Sequence, residues 1–450
     1  MNRACLPLLC SLAVLLAALP AAAQLQITSS PNPVGSGARA LGMGGAFVAV
    51  ADDATAASWN PGGLTQLERP EVSLVVSHKW FEEDFSSESH PELGGDFNVD
   101  FSDINYFSFA YPIQHTIAGR NLVFSLNYQR KFDFDRKINV EYRKYAASPF
   151  GIFDTEQHVD YEQKGQLAAL SPAFGFELLN NLSVGVVWNI WDSNIVPGNG
   201  WETNQTNHSR GRINNTLFGG SYSYSTLKSE YEDFRANNFT IGTLYKPNQR
   251  WSLGFTYNTK FKASVNLRET GRNFLQGGFS GYGLQKRSLD YIFPSSLALG
   301  VAYRFPNDKL TLSMDVTRRE WGQFEIRDPR NTNWRQRHKN GVTGLQYSLS
   351  PDVDPVYTVR VGLEYVFVNP KKPKQDYLPS IRAGLFYDPE PSGGIRSTFW
   401  GPTKGDGKPE PFYGFTLGGG LLIKNRVNLD LAYTFRTATG ARSDTFGGVP

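Results

Sequence analysis

Apolar and polar residues alternate along much of the chain, and this alternation predicts its secondary structure. Between residues 427 and 436 every second residue, from Val427 to Phe435, is apolar, and those between them are polar or small. The same alternation recurs in 122–129, 251–258, 310–317 and 357–365. A β-strand with this pattern has one apolar and one polar face. Each segment is close to the roughly 9–11 residues of a tilted membrane-spanning strand, so the pattern predicts strands whose apolar face contacts lipid.

Short turns alternate with long connections between these segments. The short turns are Asn180-Asn181, 246–249, 306–308, 369–376 and Lys424-Asn425, and they are rich in Pro, Asn and Asp, which favour turns. The long connections are 80–102, 133–164, 193–236, 261–290, 322–355 and 388–411. Outer-membrane barrels have short periplasmic turns and long external loops. A soluble β-sandwich also has alternating strands, but nothing in its architecture requires this order of connections, so the order favours a barrel.

The number of predicted strands is thirteen, and they lie near 71–78, 104–111, 121–132, 166–178, 181–191, 238–246, 250–259, 295–305, 309–320, 357–367, 377–387, 412–423 and 426–436. Bacterial single-chain barrels have even numbers of strands. Tyr433-Thr-Phe435 has the aromatic-x-aromatic form of a terminal assembly signal, but 15 residues follow it and the last is Pro450. We therefore expect either one uncounted strand or an incomplete C-terminus, in an all-β, transmembrane antiparallel β-barrel that occupies residues 71–450.

The N-terminus has the three parts of a secretory signal peptide. Arg3 precedes an apolar run from residue 6 to residue 19, and a small-residue site ends at Ala23. The run is shorter than the roughly 18 apolar residues expected of a spanning helix. We expect cleavage after residue 23 and export to the outer membrane of a Gram-negative bacterium. Cys5 and Cys10 both lie in the removed segment, so the mature chain is expected to lack disulfides and thiolate metal sites.

Composition agrees with short amphipathic strands rather than with helices. The chain of 450 residues has 14% aromatic residues and 44 glycines but three methionines. Aromatic side chains at strand ends are typical of the interfacial girdles of outer-membrane barrels. The net charge of +3 is close to balance, so we expect no nucleic-acid partner. No linker or charge block divides the sequence.

Charged residues occur on the polar face of several predicted strands and are expected inside the barrel. Arg360, Glu364 and Arg382 have this parity in two neighbouring strands, and we predict that they form a cluster in the lumen. Two roles remain open for the cluster: mutual neutralisation that braces the wall, or contact with a ligand head group. Three further acids also face inward by parity, without an assignable partner: Glu177, Asp315 and Asp430.

Residues 24–70 contain no alternating strand and are expected to fold inside the barrel as a hatch. The stretch 37–63 combines Gly and Ala with paired acids and a turn. Its predicted hatch residues are Gly42, Gly44, Gly45, Phe47, Asp52, Asp53, Asn60 and Pro61. The glycines allow tight turns and close backbone contacts, and Asn60-Pro61 favours a turn. Residues 42–47 are not a dinucleotide loop, because no strand precedes them and the third glycine is absent.

The segment 38–64 closely resembles the N-terminal signature of the OmpP1/FadL/TodX superfamily of outer-membrane channels and of related PorV/PorQ-like barrels. In these proteins a Gly/Ala-rich segment and the motif DDA…NPAG precede the first strand. Here Asp52-Asp53-Ala54 and Asn60-Pro61 match, with Gly62 where the family usually has Ala. The resemblance implies 14 strands, an N-terminal hatch in the lumen and transport of hydrophobic small molecules. The expected partners are outer-membrane lipid, a hydrophobic ligand, and the barrel-assembly and periplasmic chaperone machinery.

Sequence patterns of catalysis are not apparent. The six histidines lie at scattered positions without metal-ligand spacing: His78, His90, His115, His158, His208 and His338. The chain has no G-x-S-x-G motif. We expect no enzymatic activity, no cofactor and no bound metal.

Two functions remain. The first is passive uptake of hydrophobic small molecules of the long-chain fatty acid or aromatic hydrocarbon type, which the resemblance implies. The alternative is a PorV-like structural or assembly barrel that serves a secretion or surface-attachment system. A general aqueous pore is less favoured because of the hatch. A ligand groove needs clustered apolar residues, whereas six loop phenylalanines are dispersed among polar residues: Phe81, Phe85, Phe150, Phe153, Phe274 and Phe279.

Overall fold

The computed structural model describes residues 31–86, 94–117, 119–148, 151–215, 219–276, 280–306, 308–327, 353–369, 375–391, 395–398, 401–404 and 407–439. Its helices are α1 (Ala38–Gly42) and α2 (Ala56–Trp59), with 3₁₀ helices at Pro61–Gln66 and Trp321–Gln323. Its strands are β1 (Glu71–Ser86), β2 (Gly94–Ile117), β3 (Arg120–Asp133), β4 (Arg136–Ser148), β5 (Gly151–Leu179), β6 (Leu182–Asp192), β7 (Gly200–Asn215), β8 (Gly219–Tyr245), β9 (Trp251–Asn258), β10 (Phe261–Leu275), β11 (Ser280–Phe293), β12 (Ser296–Arg304), β13 (Leu310–Arg319), β14 (Glu325–Arg327), β15 (Val356–Val366), β16 (Tyr377–Tyr387), β17 (Ile395–Thr398), β18 (Gly401–Lys404), β19 (Tyr413–Ile423) and β20 (Val427–Thr437).

Thirteen of these strands form the wall of a β-barrel. In order around the wall they are β1, β2, β3, β5, β6, β8, β9, β12, β13, β15, β16, β19 and β20, and each pairs with the next in the antiparallel sense. The predicted all-β barrel is confirmed. Because twelve antiparallel pairings separate β1 from β20, these two strands run in the same direction. One strand antiparallel to both would close the ring between them. The fourteenth strand that the resemblance implies is not among the described residues.

Residues on the two faces of the wall differ as the alternation predicts. Leu431 is 78% exposed and Val72 is 66% exposed on the outer face, whereas Asp315 is 2% exposed on the inner face. A water-soluble protein would have the opposite arrangement. The exposed apolar face is the surface expected to contact the hydrocarbon core of a bilayer.

Four of the predicted long loops are instead mostly strand. Residues 80–102 contain the end of β1 and the beginning of β2, which pair with each other. Residues 133–164, 193–236 and 261–290 contain β4, β7, β10 and β11 and the outer halves of β5 and β8, which pair into a sheet that extends the wall. These strands lie beyond the apolar band. Their outward residues face water rather than lipid, and the apolar residues that alternate in β10, such as Val265 and Leu267, are buried on the inner side. A prediction that looks for strands with a lipid-facing apolar side does not detect them.

The hatch occupies the lumen, as predicted. Its apolar residues Met43, Phe47, Trp59 and Leu64 are almost fully buried, and they belong to one cluster with small or β-branched residues of the wall. The wall residues of that cluster are Ala110, Val123, Ala173, Val187 and Ala302. Among the described residues, helices are short and none has the length and hydropathy needed to cross a bilayer.

Candidate transport site: the hatch and the lumen

Glycines on eight wall strands bring the wall backbone into contact with the hatch. They are Gly175, Gly185, Gly242, Gly254, Gly300, Gly362, Gly384 and Gly418, and we call them the glycine belt. A Cβ atom at Gly362 would lie 2.1 Å from the Met43 carbonyl oxygen, and one at Gly384 would lie 2.2 Å from the Gly44 nitrogen. Both distances are far below van der Waals contact. At these eight strands, the wall therefore leaves no space for a ligand between itself and the hatch.

The predicted hatch glycines form the tight turn after α1. Gly44 and Gly45 have φ angles of 67° and 73°, in the left-handed region that favours glycine. The Gly44 N–H donates to Thr416 Oγ1 at 2.8 Å, and this hydroxyl donates to the Gly42 carbonyl at 2.9 Å. The Thr416 hydroxyl thus joins the turn to β19 through the Gly44 N–H and the Gly42 carbonyl. The Phe47 ring packs edge-on against a second hatch aromatic, Trp59, with centroids 5.9 Å apart.

Asn60 and Pro61 begin the 3₁₀ helix of the hatch. The Asn60 side-chain oxygen accepts from the Gly62 N–H at 3.0 Å, and its nitrogen donates to the carbonyls of Val48 and Thr243 at 2.8 and 2.9 Å. Thr243 belongs to β8, so one buried amide joins two parts of the hatch to the wall. Pro61 lies at the first helical position, where its missing N–H costs no hydrogen bond.

Two of the three predicted lumen charges form an ion pair with each other. Arg382 Nε lies 2.7 Å from Glu364 Oε1 across the β15–β16 pair, and its Nη1 lies 2.6 Å from Asp430 Oδ1. Arg39 of the hatch binds the same Glu364 carboxylate through two hydrogen bonds of 2.9 Å. Glu364 therefore links a hatch cation to a wall cation.

Arg39 also connects the two hatch acids that the sequence singled out. Its Nη1 lies 2.5 Å from Asp52 Oδ1 and 3.5 Å from Asp53 Oδ2. Burial raises the pKa of Asp53 above its usual range, although the Arg39 charge and the bonds from Thr55 act in the opposite direction. Arg39 is the one cation between residues 24 and 68. Asp52, Asp53 and Glu364 therefore share this one cation. Strand parity could not identify Arg39, because parity applies only to residues in strands.

Arg360, the third predicted lumen charge, lies apart from the Glu364–Arg382 pair. Its Nη1 donates to the Gly44 carbonyl at 3.0 Å, and its Nη2 lies 3.8 Å from Asp388 Oδ2. The guanidinium also lies over the Phe386 ring, at 5.3 Å from the centroid. The structure thus brings all three residues to the hatch but not into one cluster.

The three remaining inward acids also have partners. Asp315 Oδ2 accepts from the Val48 N–H of the hatch at 2.8 Å, and Glu177 Oε2 accepts from the Asn121 N–H at 3.1 Å. The third, Asp430, is bound to Arg382. Asp315 thus binds the hatch directly, and Asp430 binds Arg382 beside it. Glu177 instead accepts a hydrogen bond at the beginning of β3.

Aromatic residues fill the lumen between the hatch and the end of the barrel that bears the long connections, which we call the loop end. The aromatic chamber consists of Phe132, Phe134, Trp191, Trp201, Tyr231, Phe234, Phe261, Tyr291, Phe293, Trp321 and Phe324. Three pairs of these rings are stacked: Trp201 and Tyr231 have centroids 4.5 Å apart, Phe261 and Phe293 4.8 Å, and Trp191 and Phe261 5.7 Å. The chamber is a closely packed cluster of apolar side chains, separate from the apolar cluster that the hatch forms with the wall.

The sequence did not predict this chamber, because its members come from seven separate elements and adjoining turns. Among the loop phenylalanines singled out above, Phe81 stacks on Phe101 and Phe274 is 45% exposed, so neither belongs to the chamber. The side chains of Phe85, Phe150, Phe153 and Phe279 lie outside the described part of the structure. Clustering of apolar residues, which a ligand site requires, arises from strands and turns at the loop end rather than from the loop phenylalanines that the sequence analysis considered.

The chain is similar to several solved structures. A FadL homologue of Pseudomonas aeruginosa superposes with a TM-score of 0.55 at 15% identity, covering 92% of this chain and 95% of that one. A TodX monoaromatic hydrocarbon channel, as the deltaS2 mutant, gives a TM-score of 0.50 at 16% identity, covering 89% and 93%. The toluene transporter TodX of Pseudomonas putida gives 0.46 at 13% identity, covering 91% and 93%.

The sequence itself gives the family. No curated protein matches the chain. Residues 13–443 match the model of the family described as outer membrane protein transport protein (OMPP1/FadL/TodX). This match covers nearly the whole chain and agrees with the barrel, the hatch and the resemblance of residues 38–64. The chain therefore belongs to the OMPP1/FadL/TodX family of outer-membrane transport proteins.

Proposed function

We propose that this protein is an outer-membrane channel for passive uptake of hydrophobic small molecules, of the long-chain fatty acid or aromatic hydrocarbon type. The observation that carries the proposal is the aromatic chamber, an apolar compartment in the lumen on the loop side of the hatch. Apolar and aromatic linings with a few polar groups are typical of small-molecule sites. A barrel that served only as a scaffold would have no need of such a compartment.

The position of the chamber supports an order of steps in uptake: entry at the loop end, binding in the chamber, and passage past the hatch. A hydrophobic compound enters from the loop end, and its apolar surface is buried against the rings of the chamber. The hatch then separates it from the end of the barrel that bears the short turns. Because the glycine belt leaves no space at the wall, passage requires part of the hatch to move. A concentration gradient suffices to drive release.

Polar contacts make hatch movement possible without unfolding the barrel. Arg39, Asn60 and the Gly44 peptide hold the hatch through a limited number of ion pairs and hydrogen bonds. Water that enters the lumen can replace such bonds, because the net contribution is only about 0.5–1.5 kcal/mol for a neutral hydrogen bond and about 1.5–3 kcal/mol for one to a charged group. The wall strands keep their own ladder of hydrogen bonds throughout.

Uptake by intact cells tests the proposal. The protein is expressed in cells that lack their own channel of this family, and accumulation of radiolabelled dodecanol or toluene is compared with that of cells without it. We expect expression to increase accumulation. Trp191→Ala, in the chamber, should reduce the increase, whereas Trp80→Ala, which removes an indole 67% exposed on the outer face, should not.

Folding of each variant is checked by its mobility on gels without heating. No accumulation above background with a folded wild-type barrel would overturn the proposal, and the assembly role considered from the sequence would then be the next to test. Equal uptake by folded Trp191→Ala and Trp80→Ala barrels would show that the chamber is not the route.

A further inference from the structure

The outward face of β8, β10 and β11 carries a cleft at the loop end, beyond the apolar band. Its volume is about 400 Å³, and it is lined by side chains of β8 and β10. These side chains point away from the lumen, because the alternate residues of the same strands, such as Tyr231 and Leu267, are buried on the inner side. The cleft and the residues beside it contain six that we call the outer patch: Lys228, Arg268, Arg272, Phe274, Tyr282 and Lys286.

Two cations of the outer patch lie directly opposite each other. Arg268 of β10 pairs with Lys286 of β11. Like charges in such a pair destabilise it, and an anion bound between them would remove this cost. Arg268 Nε lies 3.8 Å from a Glu230 carboxylate oxygen, but that carboxylate also lies 2.8 Å from Lys228 Nζ, which has Glu202 at 3.0 Å as well. Lys286 forms no ion pair within the described residues.

Arg272 has no carboxylate beside it on this face. Its cross-strand neighbours are Thr226 of β8 and Tyr282 of β11, and the next residue of this face on β8 is the cation Lys228. Among the residues that the structure describes, Arg272 forms no ion pair. A guanidinium binds phosphate well, because its planar fork can donate to two oxygens at once. The cleft therefore offers a phosphate-binding group with further cations close by.

Apolar side chains border these cations. Phe274, Tyr282 and Leu284 are 45%, 64% and 50% exposed, outside the apolar band of the wall. Phe274 pairs with Tyr224 of β8, and Tyr282 lies opposite Arg272. Exposed apolar patches rimmed by polar residues mark interaction sites. The C–H face of a sugar ring is apolar and packs flat on an aromatic ring, while the sugar hydroxyls bond to polar neighbours.

The outer patch lies well above the lipid head groups. Phe239, 46% exposed on the same face of β8, stacks on Trp188 in the apolar band. Lys228 is 11 residues further along β8. At about 3.3 Å per residue and a tilt of about 35–45°, this separation gives a height of about 25–30 Å. The head-group region of a bilayer is only about 5–8 Å thick on each side. A lipid that reaches the patch therefore has an extended saccharide.

We propose that the outer patch binds the phosphorylated oligosaccharide of a neighbouring lipopolysaccharide in the outer leaflet. Arg272, Arg268 and Lys286 bind the phosphate oxygens through charge-assisted hydrogen bonds, and Phe274 and Tyr282 pack against the sugar rings. The charges are complementary, since the saccharide carries phosphate groups and the patch has more cations than acids. The patch faces away from the lumen, so this binding is independent of uptake.

Calorimetric titration of the purified barrel in phosphatidylcholine nanodiscs tests the proposal. The probes are the soluble core oligosaccharide released from rough lipopolysaccharide by mild acid and the same oligosaccharide after removal of its phosphates with hydrofluoric acid. We expect wild type to bind the phosphorylated form about tenfold or more tighter, because hydrogen bonds between charged groups are strong. Arg272→Gln with Lys286→Gln should remove this difference, whereas Phe274→Ala should weaken binding of both forms.

Arg143→Gln with Lys164→Gln is the matched control. It removes the same charge from the outward face of the same sheet, but Arg143 is already bound to Asp154 and Lys164 to Glu162, each at 2.8 Å. This control should keep the preference of the wild type. An equal loss in both double variants would show attraction to positive charge in general and would overturn the site. Mobility on unheated gels shows that each variant is folded.

Competition separates a saccharide site from a simple anion site. Inorganic phosphate at the same concentration should not displace the phosphorylated oligosaccharide, because it lacks the sugar rings. Displacement by inorganic phosphate, equal affinity of wild type for the two oligosaccharides, or binding of neither would overturn the proposal.

Discussion

Glu364 is the residue on which the attachment of the hatch to the wall depends most. Its carboxylate binds Arg39 of the hatch and Arg382 of the wall, and it is 4% exposed. Removal of the charge would leave two buried cations with one carboxylate fewer. Strand parity predicted that Glu364, Arg382 and Arg360 point inward. It could not predict Arg39, because the hatch has no regular strand from which a direction can be inferred.

Glu364→Gln should loosen the hatch. Removing one partner of a buried ion pair costs about 3–5 kcal/mol. Hydrogen exchange of the hatch amides should therefore become faster, while the barrel strands keep their protection. Glu320→Gln is the control, because it removes a half-exposed partner of Arg318 at 2.7 Å and should cost at most about 1 kcal/mol. Equal exchange of the hatch in both variants would contradict the bridging role.

Asp53 should make the hatch sensitive to pH. Burial raises the pKa of this carboxyl in the folded state, so the folded hatch holds the proton more strongly than the released hatch does. Attachment is therefore expected to weaken as the pH rises from the usual range of Asp towards the raised pKa. Protection factors of hatch amides should fall over this interval in wild type and change less in Asp53→Asn. The same change in both proteins would exclude Asp53 as the cause.

At the scale of elements, the hatch and the wall fit because one face of eight strands carries glycine. The membrane-spanning parts of the strands could be predicted, since lipid imposes apolar alternation on them. The extensions in β4, β7, β10 and β11 could not, because their apolar residues face the lumen rather than lipid and were not interpreted as spanning strands. The aromatic chamber was also missed. Its residues are far apart in sequence and come together only through the strand register.

Gly362→Ala should displace the hatch, because the new Cβ atom would lie 2.1 Å from the Met43 carbonyl oxygen. We expect higher ion conductance in planar bilayers and faster exchange of hatch amides. Gly283→Ala on β11 is the matched control, since its Cβ would have no heavy atom within 4 Å. Similar conductance of the two variants would show that the contact between hatch and wall is not tight.

At the scale of the whole molecule, a wall of antiparallel strands surrounds a folded N-terminal segment. The class of fold was predictable from alternation and turn order together, and the family match over residues 13–443 agrees with it. The place of the hatch followed from the lack of strands between residues 24 and 70.

A barrel of this kind should resist detergent. We expect the mature protein to begin near Gln24, to fractionate with the outer membrane and to migrate faster on gels when it is not heated. The ladder of hydrogen bonds between neighbouring wall strands keeps the barrel compact in detergent until heat disrupts it. N-terminal sequencing and paired gels of heated and unheated samples measure these properties. Equal mobility of the two samples would count against a closed barrel.

The most direct measurement is the conductance of single channels with and without residues 37–63. The strands from Val72 onward carry the lipid-facing pattern themselves, so the shortened protein should still form a barrel. Wild type should be nearly closed to ions, because the hatch fills the lumen at the level of the glycine belt. The deletion should give a large pore. Equal conductance of the two proteins would contradict the role of the hatch as the plug of this channel.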